Sequence, residues 1–196
     1  MMDTHPGGQE VTLKLLKLAK IEAGKTMIDL GAGSGESVFL LKEKGFDVTG
    51  IDFINQESPV IKGDMCALDY ERESFDAALA ECSFSVCGDL SAAIAESARI
   101  LKIGGKLLIS DVFYREVVPE KPMFPNAVTI ERFKNRVQEN GFQVFFFEDI
   151  SEVLKEYYIE SVWKGVNSLS REEARSLKGS KIGYFMMICI KQIPMK

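Results

Sequence analysis

The chain is poor in the residues that build metal centres and covalent frameworks. Its 196 residues include one histidine, His5, and the four cysteines, Cys66, Cys82, Cys87 and Cys189, show none of the close paired spacings of a zinc site. A structural metal or a disulfide framework is therefore not expected. No run approaches the roughly 18 consecutive apolar residues of a membrane span, and Met1 to Glu10 is polar and contains Pro6, unlike a secretory leader. No lysine- or arginine-rich block offers the footprint that nucleic acid or anionic lipid needs, and 24 basic against 29 acidic side chains leave a net charge of −5. These absences point to a cytoplasmic protein without nucleic-acid or membrane partners; monomer and homodimer stay open.

What is present is an ordinary globular composition, 46% hydrophobic and 27% charged, long enough for one sizeable core and short for two. Short apolar runs alternate with amphipathic stretches up to about residue 150. Gln9 to Ile21 has Val11, Leu15 and Leu18 at helical spacing, with Lys14, Lys17 and Lys20 elsewhere. Thr26 to Leu30 reads as a buried strand, Gly31 to Gly35 as a turn, and Ser37 to Lys44 as a helix stopped by Gly45. Further strands are expected at Phe46–Ile51, Val60–Ile61, Phe75–Ala80, Lys106–Val112, Phe142–Glu148 and Gly183–Lys191, and helices at Leu90–Leu101, ended by Gly104-Gly105, and Thr129–Glu139.

Strands separated by helices pair in parallel, which predicts an α/β fold with one doubly wound, Rossmann-like sheet and a ligand crevice beyond the carboxyl ends of its strands. The five residues between Phe53 and Pro59 are too few for a helical crossover, so a bare loop is expected there. The chain divides as an N-terminal segment and helix (1–25), a core (26–149), a helical insertion able to cap the site (150–181) and a last strand (182–192), all in a single domain.

Ile28-Asp-Leu-Gly-Ala-Gly-Ser-Gly-Glu36 sets a strand, an acid, alternating glycines and a helix start in succession. A dinucleotide would rest its pyrophosphate on the helix N-terminus, but here the final glycine position is Glu36 and Asp29 stands at the entrance. Two carboxylates repel a diphosphate. S-adenosylmethionine carries a sulfonium and an ammonium, which acids stabilise. Asp52 ends the second strand, where a carboxylate can accept from ribose hydroxyls. Asp64 follows the third, where it could accept from an adenine amino group with Met65 beside the ring.

With these motifs the sequence resembles the class I S-adenosylmethionine-dependent methyltransferases, and within them the small-molecule branch. The resemblance covers residues 9–112: the cofactor turn, Val48-Thr-Gly-Ile-Asp52, Gly63-Asp64-Met65, Ser74 to Ala80, and Arg99 to Asp111. It implies a seven-stranded sheet, mostly parallel with an antiparallel last strand. S-adenosyl-L-methionine is the implied cofactor and S-adenosyl-L-homocysteine the product, with methyl transfer to an unidentified small acceptor. By that analogy Asp29, Gly31, Ala32 and Gly33, with Gly35 in the same turn, meet the methionine moiety. Asp52 and Phe53 meet the ribose, and Asp64 and Met65 the adenine.

Methyl transfer needs alignment and exclusion of water more than a general base. After the fourth strand stands Glu81-Cys-Ser-Phe-Ser-Val-Cys-Gly88, which lacks the Asn/Asp-Pro-Pro-aromatic pattern of many amino-group methyltransferases of nucleic acids and proteins. Glu81 could bond the cofactor's ammonium or act on the acceptor. His5, in His-Pro-Gly-Gly, is either a catalytic residue on a segment folding over the cofactor or simply solvated. Cys82, Ser83, Phe84, Tyr157 and Trp163 are candidates for the acceptor pocket, with Tyr158 beside them. Cys66, Cys82 and Cys87 could converge on a thiophilic acceptor or merely pack. Two rival readings are a non-catalytic S-adenosylmethionine-binding module and an NAD-dependent oxidoreductase.

Overall fold

The computed structural model describes residues 5–54, 58–163 (side chains to 160) and 182–193. Among these residues the elements run α1 (Gly8–Ala19), β1 (Thr26–Leu30), α2 (Glu36–Glu43), β2 (Asp47–Asp52), β3 (Val60–Lys62), β4 (Phe75–Glu81), α3 (Leu90–Ile100), β5 (Leu101–Tyr114), α4 (Ile130–Glu139), β6 (Phe142–Asp149), α5 (Ser151–Trp163) and β7 (Ile182–Lys191). They form one sheet in the order β3-β2-β1-β4-β5-β7-β6. The strands from β3 to β5 are parallel, and β7 is antiparallel to both β5 and β6. The doubly wound α/β architecture is thus present, and the antiparallel strand lies inside the sheet rather than at its edge.

The central strands read as unbroken apolar runs because both faces of the sheet are covered. Ile28, Leu30, Ala78, Ala80, Leu107, Ile109, Phe185 and Met187 face one core, closed by Ile94 of α3 and Phe133 and Val137 of α4. Their alternating neighbours Met27, Ala77, Leu79, Leu108, Tyr184, Met186 and Ile188 face a second core with Leu15 of α1, Leu41 of α2 and Leu154 of α5. Successive strand side chains point to opposite faces, so the two layers of helices divide the strand residues between them.

Local chemistry sets several boundaries. Asp89 caps α3, its carboxylate accepting from Ser91 N and Ala92 N, and Thr129 caps α4 through Arg132 N. The described residues between β2 and β3 contain no helix. One joint differs from expectation. Gly104-Gly105 does not end α3: the helix stops at Ile100, and Leu101 already pairs with Phe75 of β4. Lys106 then pairs with Ala77, so residues 102–105 bulge out of β5, with Gly104 at φ 76°.

Candidate functional site

The chain winds outward from β1 to β3 and returns to β4, so the strand order reverses between β1 and β4. A crevice opens beyond the carboxyl ends of such a pair. The turn leaving β1 holds Gly31, Gly33 and Gly35 at φ 81°, 53° and 85°. A Cβ on Gly31 would stand 2.6 Å from Ser83 Cβ, beyond the end of β4, so the two chain segments touch there. The turn's amides are already engaged: Gly31 N and Ala32 N donate to Ile51 O (2.9 and 2.8 Å), Gly35 N to Ala32 O (2.8 Å), and Gly33 N to Asp52 Oδ2 (3.0 Å). A pyrophosphate needs such amides free, which weighs against the dinucleotide reading.

Two lobes flank the turn and share Gly31 and Cys82. The larger, about 380 Å³, is lined by Asp52, Phe53, Asp64, Met65, Ser83 and Val86 among others. Phe53, Ile54 and Val86 give it an apolar rim that is 68%, 84% and 55% exposed, which an uncharged ring could cover. Asp52 also accepts from Ile54 N (2.8 Å), tying the loop after β2 to the glycine turn. Asp64 Oδ1 accepts from Cys66 N (2.8 Å). Each carboxylate keeps acceptor capacity beyond these bonds.

The smaller lobe, about 170 Å³, is lined by His5, Asp29, Ala32, Gly33, Ser34, Ser37 and Glu81. Asp29 is buried and its Oδ2 lacks a hydrogen-bond partner. Burial pushes its carboxyl well above the usual range, and the charges of Glu81 and Asp52 act in the same direction. Glu81, also buried, is a hub. Its Oε2 accepts from Thr12 Oγ1 (2.9 Å) and Ser37 Oγ (3.1 Å) and lies 3.3 Å from His5 Nε2, while its Oε1 accepts from Ser110 Oγ (3.2 Å). The lobe thus holds two buried carboxylates, one of them under-bonded, which suits a cationic donor group.

Cys82 stands where the lobes meet, in a left-handed backbone (φ 51°) that a residue with a side chain rarely adopts. Its Sγ lies 3.4 Å from the Tyr184 hydroxyl, which donates to Ser110 Oγ (3.1 Å). Burial, then the charges of Asp111 and Glu81, hold this thiol well above its ordinary pKa. Cys87 lines the larger lobe, and burial and neighbouring Cys66 push its thiol up to about 12. The cysteines therefore divide: Cys66 and Cys87 lie together, whereas Cys82 pairs with Tyr184. Among the described residues no group of three candidate metal ligands forms.

Three sequence candidates stand elsewhere. Phe84 is fully buried in the core beside Phe133, because the segment after β4 turns it away from the lobes. Gly35 lines neither lobe; a Cβ there would meet Val60 and Pro59 at 3.0 and 3.2 Å, so it serves close packing. Tyr157 of α5 lines neither lobe and meets Tyr158 edge-on at 5.9 Å; it is Tyr158 whose hydroxyl feels the Cys82 side chain. The side chain of Trp163 lies outside the described residues.

A family model described as a methyltransferase domain matches residues 28–109, the stretch from β1 into β5 that supplies most of both lobes. Over these residues the chain is similar to methyltransferase domains. A demethylmenaquinone methyltransferase of Corynebacterium kroppenstedtii is 33% identical over 104 residues, 49% of this chain and 45% of that protein. An O-methyltransferase of Pyrenophora dematioidea is 24% identical over 213 aligned positions, 92% of this chain and 80% of that one. A solved phosphoethanolamine N-methyltransferase 2 of Haemonchus contortus, in complex with S-adenosyl-L-methionine, shares the fold at TM-score 0.75 and 18% identity, over 96% of this chain and 54% of that one. The chain thus spans less than half the length of the first of these relatives.

Sequence reasoning missed Thr12, Ser37, Ser110 and Tyr184, which surround Glu81 and Cys82. Thr12 carries a signal in hindsight: it is a fully buried polar residue among the apolar positions of α1. Asp111, buried at the carboxyl end of β5, accepts from Ser85 N (3.0 Å) and Val112 N (2.7 Å) and so fixes the segment after β4. Burial raises its carboxyl pKa to about 6 against these opposing bonds.

Proposed function

We propose that the chain transfers a methyl group from S-adenosyl-L-methionine to a small-molecule acceptor, leaving S-adenosyl-L-homocysteine. The observation that carries this reading is the pair of lobes joined at Gly31 and Cys82, one acidic with the under-bonded Asp29 carboxylate, the other apolar-rimmed with Asp52 and Asp64. The acidic lobe fits an amino-acid ammonium and the apolar-rimmed lobe an adenosine. The engaged amides of the glycine turn and its surrounding carboxylates oppose the linked phosphates of NAD.

When bound, the cofactor supplies a methyl group activated on a sulfonium. The residues of the chain bind and orient it. Asp29, with Glu81 beside it, holds the ammonium; Asp52 accepts from the ribose; Met65, Phe53 and Val86 cover the base, with Asp64 at its edge. Gly31 lets the ligand pass close to the main chain between the lobes, because any side chain there would fill the join. Cys82 lines the join of the lobes as a neutral thiol, its pKa held up by burial. That fits a reaction driven by alignment. The relatives are by name a demethylmenaquinone methyltransferase, an O-methyltransferase and a phosphoethanolamine N-methyltransferase, which supports a small acceptor and leaves its identity to experiment.

The test is titration calorimetry with S-adenosylhomocysteine and NAD, followed by labelled methyl transfer to fractionated metabolites. Micromolar binding of the first, with none of the second, and label in a small product are the expected results. NAD binding without S-adenosylhomocysteine binding overturns the proposal, and tight cofactor binding with no labelled product from any fraction favours a binding module.

A further inference from the structure

The segment that follows β4 is held from several sides. Cys82 N donates to Ser110 O (2.8 Å), Val86 N to Ser83 O (3.3 Å) and Asn126 N to Ser85 O (2.9 Å), while Ser85 N donates to Asp111 Oδ2 (3.0 Å). Two serines of this segment differ sharply. Ser85, buried, brings its hydroxyl as well as its amide to the Asp111 carboxylate. Ser83 is 4% exposed, and its Oγ has no hydrogen-bond partner among the described residues. A buried hydroxyl without a partner costs free energy, and the bonds on either side fix the backbone that carries it.

The larger lobe shows what that hydroxyl is suited to. Ser83 lines this lobe and not the smaller one, at the point where a Cβ on Gly31 would meet Ser83 Cβ at 2.6 Å and Met65 Cε at 3.2 Å. The carboxylates of Asp52 and Asp64 accept and do not donate, so they meet the hydroxyl and amino hydrogens of an adenosine. The thiols of Cys82 and Cys87 are weak donors, and the other lining residues carry apolar side chains or none. Among the described residues Ser83 is therefore the lobe's one strong side-chain donor. The lone pairs of an adenosine, on its ribose ring oxygen and ring nitrogens, have no other such side chain to meet.

We propose that Ser83 binds the nucleoside half of the cofactor, its Oγ donating to a lone pair of the ribose or base at the inner end of the larger lobe. This rests on the cofactor reading above, and it assigns Ser83 to the nucleoside rather than to the acceptor pocket. The ligand supplies the bond that the folded chain withholds, so loss of the hydroxyl weakens the complex and spares the free chain.

The test compares S83A with the wild type as full chains. Thermal unfolding without ligand gives S83A an equal or higher Tm. Calorimetry gives S-adenosylhomocysteine and 5′-methylthioadenosine, which lacks the amino-acid group, affinities about three- to tenfold weaker than in the wild type, by the same factor for both. Unchanged affinities overturn the proposal. So does a loss confined to S-adenosylhomocysteine, which places the hydroxyl on the amino-acid half, or a lowered Tm, which makes its role structural. If the wild type binds neither ligand, the cofactor reading itself fails.

Discussion

Gly31 and Gly33 differ in a way that separates backbone strain from steric overlap. Both lie at positive φ, 81° and 53°. A Cβ on Gly33 meets no atom within 4 Å, whereas one on Gly31 falls 2.6 Å from Ser83 Cβ and 3.2 Å from Met65 Cε. In G33A the left-handed backbone costs about 1–2 kcal/mol, offset by about 0.4–1 kcal/mol from the stiffer unfolded chain, for a net loss of roughly 1 kcal/mol. G31A bears the same backbone cost at a φ beyond the usual left-handed basin. It also places two carbons about 1 Å inside their contact distance. Ser83 Cβ is fixed to the main chain beyond β4, so relief needs backbone movement, and overpacking of this kind costs about 1–3 kcal/mol. Urea unfolding should therefore place G31A about 1–3 kcal/mol below G33A, with a correspondingly weaker affinity for S-adenosylhomocysteine. Removing the opposing atom in G31A/S83G should recover most of the gap relative to S83G alone. Equal stabilities for G31A and G33A, or no recovery in the double variant, would refute the contact between turn and β4 as the reason for glycine at residue 31.

Three further outcomes follow. Asp111 has a folded-state pKa raised to about 6 by burial, so its contribution to stability is complete below the unfolded value and is lost as pH rises through about 6. D111N should lack this slope, so that the wild type's margin over it shrinks by about 2 kcal/mol between pH 4 and 7 in urea titrations; a margin independent of pH contradicts the assignment. D29N removes a buried ionisable carboxyl that burial and the charges of Glu81 and Asp52 disfavour as an anion and should stabilise the ligand-free chain in thermal unfolding at neutral pH. The same variant should bind S-adenosylhomocysteine at least about tenfold more weakly; losing stability instead would show Asp29 to be a structural acid. D52N keeps one acceptor towards Gly33 or Ile54 and should weaken cofactor binding by about 1–3 kcal/mol, measured by calorimetry.

Much of the fold was legible because burial on both faces writes parallel strands as apolar runs, as in Met27–Leu30 and Leu107–Ile109, while the helices between them keep a 3.6-residue period. The misjudged joint at Leu101–Gly105 arose because glycine marks a helix end and a bulge alike. In the site, residues adjoining a strand end were readable from local spacing: Asp29, Asp52, Asp64 and Glu81 all reach the two lobes or their walls. What was hidden depends on contacts distant in sequence. Thr12 and Ser110 meet Glu81 across 69 and 29 residues, and no local pattern encodes such a meeting. Phe84 shows the converse, since nearness in sequence to the site did not decide which way its ring would turn.

The position of β7 between β5 and β6 orders events during synthesis. Among the described residues β6 borders no strand except β7, so Phe142–Asp149 leaves the ribosome before its neighbour. It must wait some forty residues, roughly 2–8 s at usual elongation rates, for its neighbour. Its stretch Phe142-Gln-Val-Phe-Phe-Phe147 is uncharged, rich in aromatics and free of proline, the type of segment that self-associates when bare. The nascent polypeptide is therefore most exposed to aggregation in that interval, and slow codons between residues 150 and 181 would lengthen it.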